Sequence, residues 1–243
     1  MMGLEDAFEK IGYRQKTQNK PHKKQKKPYN KKREKELDIP NPSFYYYKDK
    51  AYGKDIEKFV LKNNYQELFS IKEAITFELT TTYPGLLVGS GYNHPKLKDS
   101  TDDFQLGFFF DHTTGIPLIS GSSIKGVLRS VLEKEAFCKE IYKIENSKEI
   151  IKELFESGKA IFYDAFIIST NKKIFASDYI TSHTDGEFKN PNPIKFLKIL
   201  PNVTFRFQFK NIDENTKELF KNTILDFGLG AKTNVGYGKF KKE

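Results

Sequence analysis

The chain has 243 residues, 37% of them hydrophobic, and a formal net charge of +9. That length suits one large domain or a domain with extensions, and the sequence offers no apolar run of about 18 residues to cross a membrane. Its single cysteine, Cys138, excludes an internal disulfide, fits a reducing cytoplasm, and with four scattered histidines makes no zinc pattern.

The charge is unevenly placed. Lys10 to Glu36 carries twelve Lys/Arg against Glu34 and Glu36, a local charge of +10, which leaves −1 for the rest. A site for a polyanion on the body must therefore be a local patch. Met1 to Lys10 has no apolar core, so no secretory signal is predicted. The basic segment is nearly without aliphatics and is expected to be disordered when alone. It reads either as an arm that touches nucleic-acid phosphates or as a solvated tail. Phe44-Tyr45-Tyr46-Tyr47 follows Pro40 and Pro42. This aromatic cluster either packs the start of the domain or stacks on bases. Residues 1–54 are read as basic arm and linker, and 55–243 as a single domain.

Asp55 to Phe69 predicts a helix with an imperfect apolar face of Ile56, Phe59, Val60 and Leu68. Ile71 to Thr82 predicts a strand, in which Ile75, Phe77 and Leu79 alternate with polar residues. Tyr83-Pro84-Gly85 ends it, and Gly89-Ser90-Gly91 marks another turn. Asp99 to Asp103 reads as an acidic loop. Phe104, Leu106, Phe108 and Phe110 alternate as a second strand. The turn Asp111-His112-Thr113-Thr114-Gly115 then leads back through Ile116 to Ile119 as a hairpin.

Serines follow where a helix should start. Ile124, Val127, Leu128, Val131 and Glu135 keep helical spacing. Ser122, Lys125 and Arg129 fall on one face of its first turns. Free N–H groups, hydroxyls and two cations there suit phosphate; equally, this is a capped helix with a solvated basic face. Gly126 inside the helix costs about 1 kcal/mol against alanine. A second backbone passing close by would explain it.

Ser147 to Phe155 predicts a short helix stopped by Gly158. Ala160 to Ser169 predicts a strand interrupted at Asp164. Asp178 to Asn192 is polar and turn-rich and reads as a loop. Ile194 to Leu200 predicts a strand. Val203, Phe205, Phe207 and Phe209 alternate with Thr204, Arg206 and Gln208 as a half-buried strand with a core face. Asp213 to Phe227 predicts the last helix, with Gly228 at its C′ position.

Gly228-Leu229-Gly230-Ala231-Lys232-Thr233-Asn234-Val235-Gly236-Tyr237-Gly238-Lys239-Phe240 comes next. Glycine permits positive φ and close backbone approach, and freed N–H groups can form an anion-binding nest. The stretch reads as such a nest or as a helix cap followed by a turn. A short strand leaves it at Tyr237 to Lys241. Stripped of insertions, the element order is βαββαβ, the ferredoxin-like or RRM-like α+β plan.

Four stretches, in order, resemble motifs of the RAMP superfamily of CRISPR proteins. Ile119 to Arg129 resembles its PGSSLKGxxR helix start, with Ser120 in place of the usual proline. Phe162 to Phe166 resembles its F-x-D-A-F strand. Gly228 to Phe240 resembles its C-terminal glycine-rich loop. Asn190 to Leu197 resembles the NPNPIxFL segment of one subgroup, the sixth subunit of type III-B Cmr effector complexes. The resemblance covers Ile71 to Lys241 and leaves 1–54 outside.

It implies a ferredoxin-like RAMP domain with insertions. It also implies a non-catalytic subunit that holds the 3′ part of a CRISPR RNA and caps the filament of a multi-subunit complex. The implied partners are CRISPR RNA, its duplex with target RNA, and other RAMP subunits; no cofactor, metal or membrane is expected. The RNA-binding residues expected from the two motifs are Ser122, Ser123, Lys125, Arg129, Gly230, Lys232, Thr233, Gly236, Tyr237 and Gly238, with Tyr237 stacking on a base. His94, His112 and His183 sit in polar loops. The competing expectation is an endoribonuclease, because some RAMP relatives cut RNA with acid–base side chains or with a loop aspartate and a metal. Asp99, Asp102, Asp103 and Asp111 lie in suitable loops.

Overall fold

The computed structural model describes residues 41–47, 53–61, 70–89, 104, 108–170, 173–182 and 192–242. Helix α1 (Pro42–Tyr47) and a 3-10 turn (Gly53–Lys58) precede strand β1 (Ile75–Thr81). Then come β2 (Leu118–Ile119), α2 (Gly121–Leu132), α3 (Glu135–Ile141) and α4 (Ser147–Ile150), which runs on as a π-turn (Ile151–Glu156). Strands β3 (Ile161–Phe162), β4 (Ala165–Thr170), β5 (Phe175–Ser182), β6 (Asn192–Ile199) and β7 (Val203–Lys210) follow. Helix α5 (Glu214–Phe227), a 3-10 turn (Thr233–Val235) and β8 (Phe240–Lys241) complete the chain.

The main sheet is antiparallel in the order β2-β4-β7-β1-β8, with β3 also on β7. Within it β1-α2-β4-β7-α5-β8 is a βαββαβ unit, the expected ferredoxin-like plan. Period-two alternation decides its faces. Phe205, Phe207 and Phe209 are fully buried. Phe77 stacks on Phe207 and Phe209 with centroids at 5.2 and 5.6 Å, and Phe209 meets Phe220 of α5 at 5.3 Å. The other face of these strands is polar. Glu78 pairs with Arg206 at 2.9 Å, and the Thr80 and Thr204 hydroxyls bond at 2.8 Å.

Both long helices start on side-chain caps. Ser120 Oγ accepts from Ser123 N, and Asp213 Oδ1 accepts from Thr216 N. Burial chooses the rest of α2: Ile124, Leu128, Val131 and Leu132 face inward. Glu135 belongs to α3, which the sequence reading did not foresee.

Three expectations are corrected. The 178–192 loop contains strand: β5 runs to Ser182 and pairs with β6 from Phe175↔Ile199 to Ser182↔Asn192. Polar Ser177 and Asp178 hid it, because Asp178 is satisfied by partners far along the chain. The 55–69 helix is a 3-10 turn ending at Lys58, with Val60 bridging to Lys173; residues 62–69 lie outside the described residues. The strand expected over 104–110 reduces, among the described residues, to the bridge Phe110↔Pro117. Its aromatic side chains still serve the core. Tyr46 stands 5.7 Å from Phe104 and 5.5 Å from Phe110, so packing begins upstream of residue 55. The basic segment 10–36 lies outside the described residues.

Candidate nucleic-acid interface

The two stretches singled out by their chemistry meet at one groove. It measures about 520 Å³ and is lined by Ser123, Gly126 and Val127 of α2 and by Gly230 and Ala231 of the glycine-rich loop. Its floor is Ile119, Leu86, Val88 and Gly89. Small residues and exposed main chain make its walls, so another backbone can approach closely.

The loop is laid against the segment that leaves β1. Thr82 N donates to Lys239 O (3.0 Å), Gly238 N to Gly85 O (2.8 Å) and Ala231 N to Leu87 O (3.0 Å). Leu229 N donates to Gly238 O (2.9 Å) and closes the loop on itself. Gly228, Gly230, Gly236 and Gly238 all have positive φ. A Cβ on Gly230 would overlap Leu87 O, and one on Gly238 would overlap Leu229 O. Gly230 and Gly238 are thus required by close protein backbone as well as being expected RNA contacts.

The loop's donors divide accordingly. The N–H groups of Gly228, Leu229, Ala231, Val235, Gly236, Tyr237 and Gly238 go to protein carbonyls. Those of Gly230, Lys232, Thr233 and Asn234 have no acceptor among the described residues. Lys232 is left-handed (φ 61°, ψ 34°) and opens the 3-10 turn. Free donors beside a left-handed residue at a turn's start form an anion-binding concavity. The donors left for such a concavity are therefore confined, among the described residues, to 230–234.

Of the residues expected on helix α2, the groove takes Ser123 and not Ser122, Lys125 or Arg129. Ser123 and Gly126 line the groove. Ser122 is exposed, and its hydroxyl is 3.1 Å from Ser120 Oγ. Lys125 lies over the Phe162 ring at 5.7 Å. Arg129 is paired on the surface with Glu133 (3.0 Å) and Glu156 (3.3 Å). Gly121 N donates to Asp164 Oδ1 at 2.7 Å, and a Cβ on Gly121 would overlap Phe162 O. Asp164 therefore breaks its strand in order to cap α2, a role the interrupted pattern left unstated.

Tyr237 is committed to the protein. Its hydroxyl donates to Asp178 Oδ2 at 2.6 Å, and its ring meets Phe196 edge-on at 6.0 Å. Lys198 Nζ reaches the same Asp178 oxygen at 2.6 Å and lies 5.7 Å from the Tyr237 ring. This triad fastens the β5–β6 hairpin to the loop. No local pattern announces it, since Asp178 lies 59 residues upstream of Tyr237. Burial and the hydrogen bond to Asp178 push the Tyr237 hydroxyl far up. Burial alone would raise the Asp178 carboxyl, but bonds from Lys198, Tyr237 and the Tyr179 N–H hold it below the usual range. A depressed carboxyl stabilises above the unfolded value of about 3.9 and loses that effect as pH falls through its folded value. Asp178→Asn is therefore expected to cost most at pH 7 and progressively less toward pH 3, read as the denaturant midpoint against pH.

Among the described residues, no group of three or more His, Cys, Asp or Glu side chains could hold a metal ion. Cys138 is fully buried, and burial pushes its thiol up. His112 is exposed in its turn; His94 and His183 lie outside the described residues. Asp111 Oδ2 accepts from Thr114 N and Thr114 Oγ1, both at 2.6 Å, as a turn cap. Asp99, Asp102 and Asp103 lie outside the described residues. A larger open cavity of about 910 Å³ lies between α4 and α5, lined by Ile150, Leu154, Ile212 and Leu219, and none of the expected site residues borders it. No helix among the described residues is long and apolar enough to cross a membrane.

Comparison with known proteins bears on the family. The RAMP superfamily profile matches residues 78–241, from β1 to β8. The CRISPR system CMR subunit Cmr6 of Saccharolobus solfataricus is 29% identical over 79% of this chain and 66% of its own length. The CRISPR system Cms endoribonuclease Csm3 of Streptococcus thermophilus is 31% identical over 53% of this chain and 70% of its own. A chain in the cryo-EM structure of type III-B Cmr-beta bound to cognate target RNA is 30% identical with a TM-score of 0.55, over 70% of this chain and 58% of that one. The match thus spans just under two thirds of the Saccharolobus protein. With the βαββαβ sheet order, the capped α2 and the glycine-rich loop all inside the matched span, the chain belongs to the RAMP superfamily.

Proposed function

We propose that this chain is a CRISPR RNA-binding subunit of a type III-B Cmr effector complex. It grips the 3′ part of the guide, caps the filament and does not cut RNA. The groove between α2 and the glycine-rich loop carries the RNA-binding part. Its walls are main chain and small side chains, four N–H groups at 230–234 are free, and Lys232 is the adjacent cation. Such a site recognises backbone and leaves sequence to base pairing, the division of labour in RNA-guided effectors. The likeness to Cmr6 and to a chain of an RNA-bound Cmr-beta structure supports the assembly. Its partners are then CRISPR RNA, the guide–target duplex and other RAMP subunits, in the cytoplasm.

Binding of labelled single-stranded RNA by the full chain tests this. Affinity should fall with salt, and Lys232→Ala should weaken it several-fold while reducing the salt slope by about one ion. Arg129→Ala should change little, because Arg129 does not line the groove and pairs with Glu133 and Glu156. Unchanged affinity in Lys232→Ala rejects the site.

The likeness to Csm3, named an endoribonuclease, supports a second reading as an RNA-cutting subunit. The two separate on one gel. The non-catalytic reading expects labelled RNA to stay intact with or without divalent metal. Metal-dependent cutting that Asp102→Ala or Asp103→Ala abolishes would establish the second.

A further inference from the structure

We infer that Tyr83 is the base-stacking platform of this interface, an inference that rests on the RNA-binding reading above. Tyr237 was the expected stacker, but its hydroxyl is bound to Asp178 and its ring lies between Phe196 and Lys198. Tyr83 is 84% exposed, while Tyr46 is 6% exposed in the core. No ring or cation lies against the Tyr83 ring among the described residues.

Exposure alone means little for one tyrosine. Position and rigidity carry the argument. Tyr83-Pro84 forms a turn tied to the glycine-rich loop on both flanks, by Thr82 N to Lys239 O and by Gly238 N to Gly85 O. The Thr82 hydroxyl adds a bond to Lys239 O at 3.1 Å. Pro84 Cδ lies 3.6 Å from where a Cβ on Gly236 would stand, and the next residue back, Val235, is 62% exposed. The aromatic therefore stands beside the same loop that bears the free N–H groups. Leu86 lines the groove, and three residues of chain put Tyr83 within about 10 Å of it. A strand whose phosphates lie at residues 230–234 can present a base to this ring. Stacking on an aromatic accepts any base, which suits a subunit that must hold every guide. With its backbone held on both flanks, ordering Tyr83 on binding costs only side-chain freedom.

The experiment uses the full chain and two single-stranded RNAs of equal length, one carrying 2-aminopurine among normal bases and one with abasic positions. Wild type should quench the 2-aminopurine on binding, and Tyr83→Phe should keep both the quench and the affinity. Tyr83→Ala should lose the quench and about five- to a hundredfold in affinity for the base-containing RNA. On the abasic RNA, Tyr83→Ala and wild type should bind equally, with the same salt slope. Equal binding of base-containing RNA by wild type and Tyr83→Ala would overturn this inference alone and leave Tyr83 to a protein neighbour. Failure of wild type to bind either RNA would overturn the RNA-binding reading itself, and this inference with it.

Discussion

Gly238→Ala is expected to destabilise the domain by about 3–4 kcal/mol and to abolish RNA binding. Gly238 has φ +67°, where a side chain costs about 1–2 kcal/mol. A Cβ there would overlap Leu229 O, which forces apart Leu229 N···Gly238 O and Gly238 N···Gly85 O. Each of those bonds contributes about 1 kcal/mol, and Leu229 is a fully buried anchor. Once the loop lifts from Gly85 and Leu87, Gly230 and Ala231 no longer line the groove. The urea midpoint should drop with an unchanged m-value. A loss below about 1 kcal/mol would mean that the loop is not held as described.

Gly126 should behave in the opposite sense, and that contrast separates folding from function. A Cβ there meets nothing within 4 Å, although the residue sits inside α2 and borders the groove. Gly126→Ala should therefore stabilise the fold by up to about 1 kcal/mol through helix propensity alone. In the proposed complex the added methyl meets RNA, so affinity should fall a few-fold. Gly126→Glu keeps a good helix former and adds a carboxylate to the groove, so affinity should fall about tenfold or more while the fold stays at least as stable. Unfolding midpoints and anisotropy titrations on the same samples read both axes. Unimpaired binding by Gly126→Glu would remove RNA from the groove.

Elements whose pattern and packing agree locally could be read from the sequence. Alternating phenylalanines marked β7, and Asp213 and Gly228 bracketed α5, since caps and period-two burial need only neighbours. The meeting of the α2 start with the glycine-rich loop was also foreseeable from the βαββαβ plan. What could not be read depended on long-range partners. β5 looked like loop because Asp178 finds Lys198 and Tyr237 only in the fold. The pairing of Arg129 with Glu156 was hidden in the sequence because it lies 27 residues on, after two further helical segments. The packing of the glycines was hidden because the carbonyls of Gly85 and Leu87, which Gly238 and Gly230 approach, lie more than 140 residues earlier. The π-turn after Ile150 leaves no periodic mark of its own.

The most direct measurement is a ¹⁵N–¹H spectrum of the full chain titrated with single-stranded RNA. The amides of Gly230, Lys232, Thr233 and Asn234 are free in the unbound protein and should move downfield to saturation. Those of Leu229 and Gly238, already bonded to protein carbonyls, should move little. Binding confined to the basic segment 10–36, with the amides of 230–234 unmoved, would contradict the account.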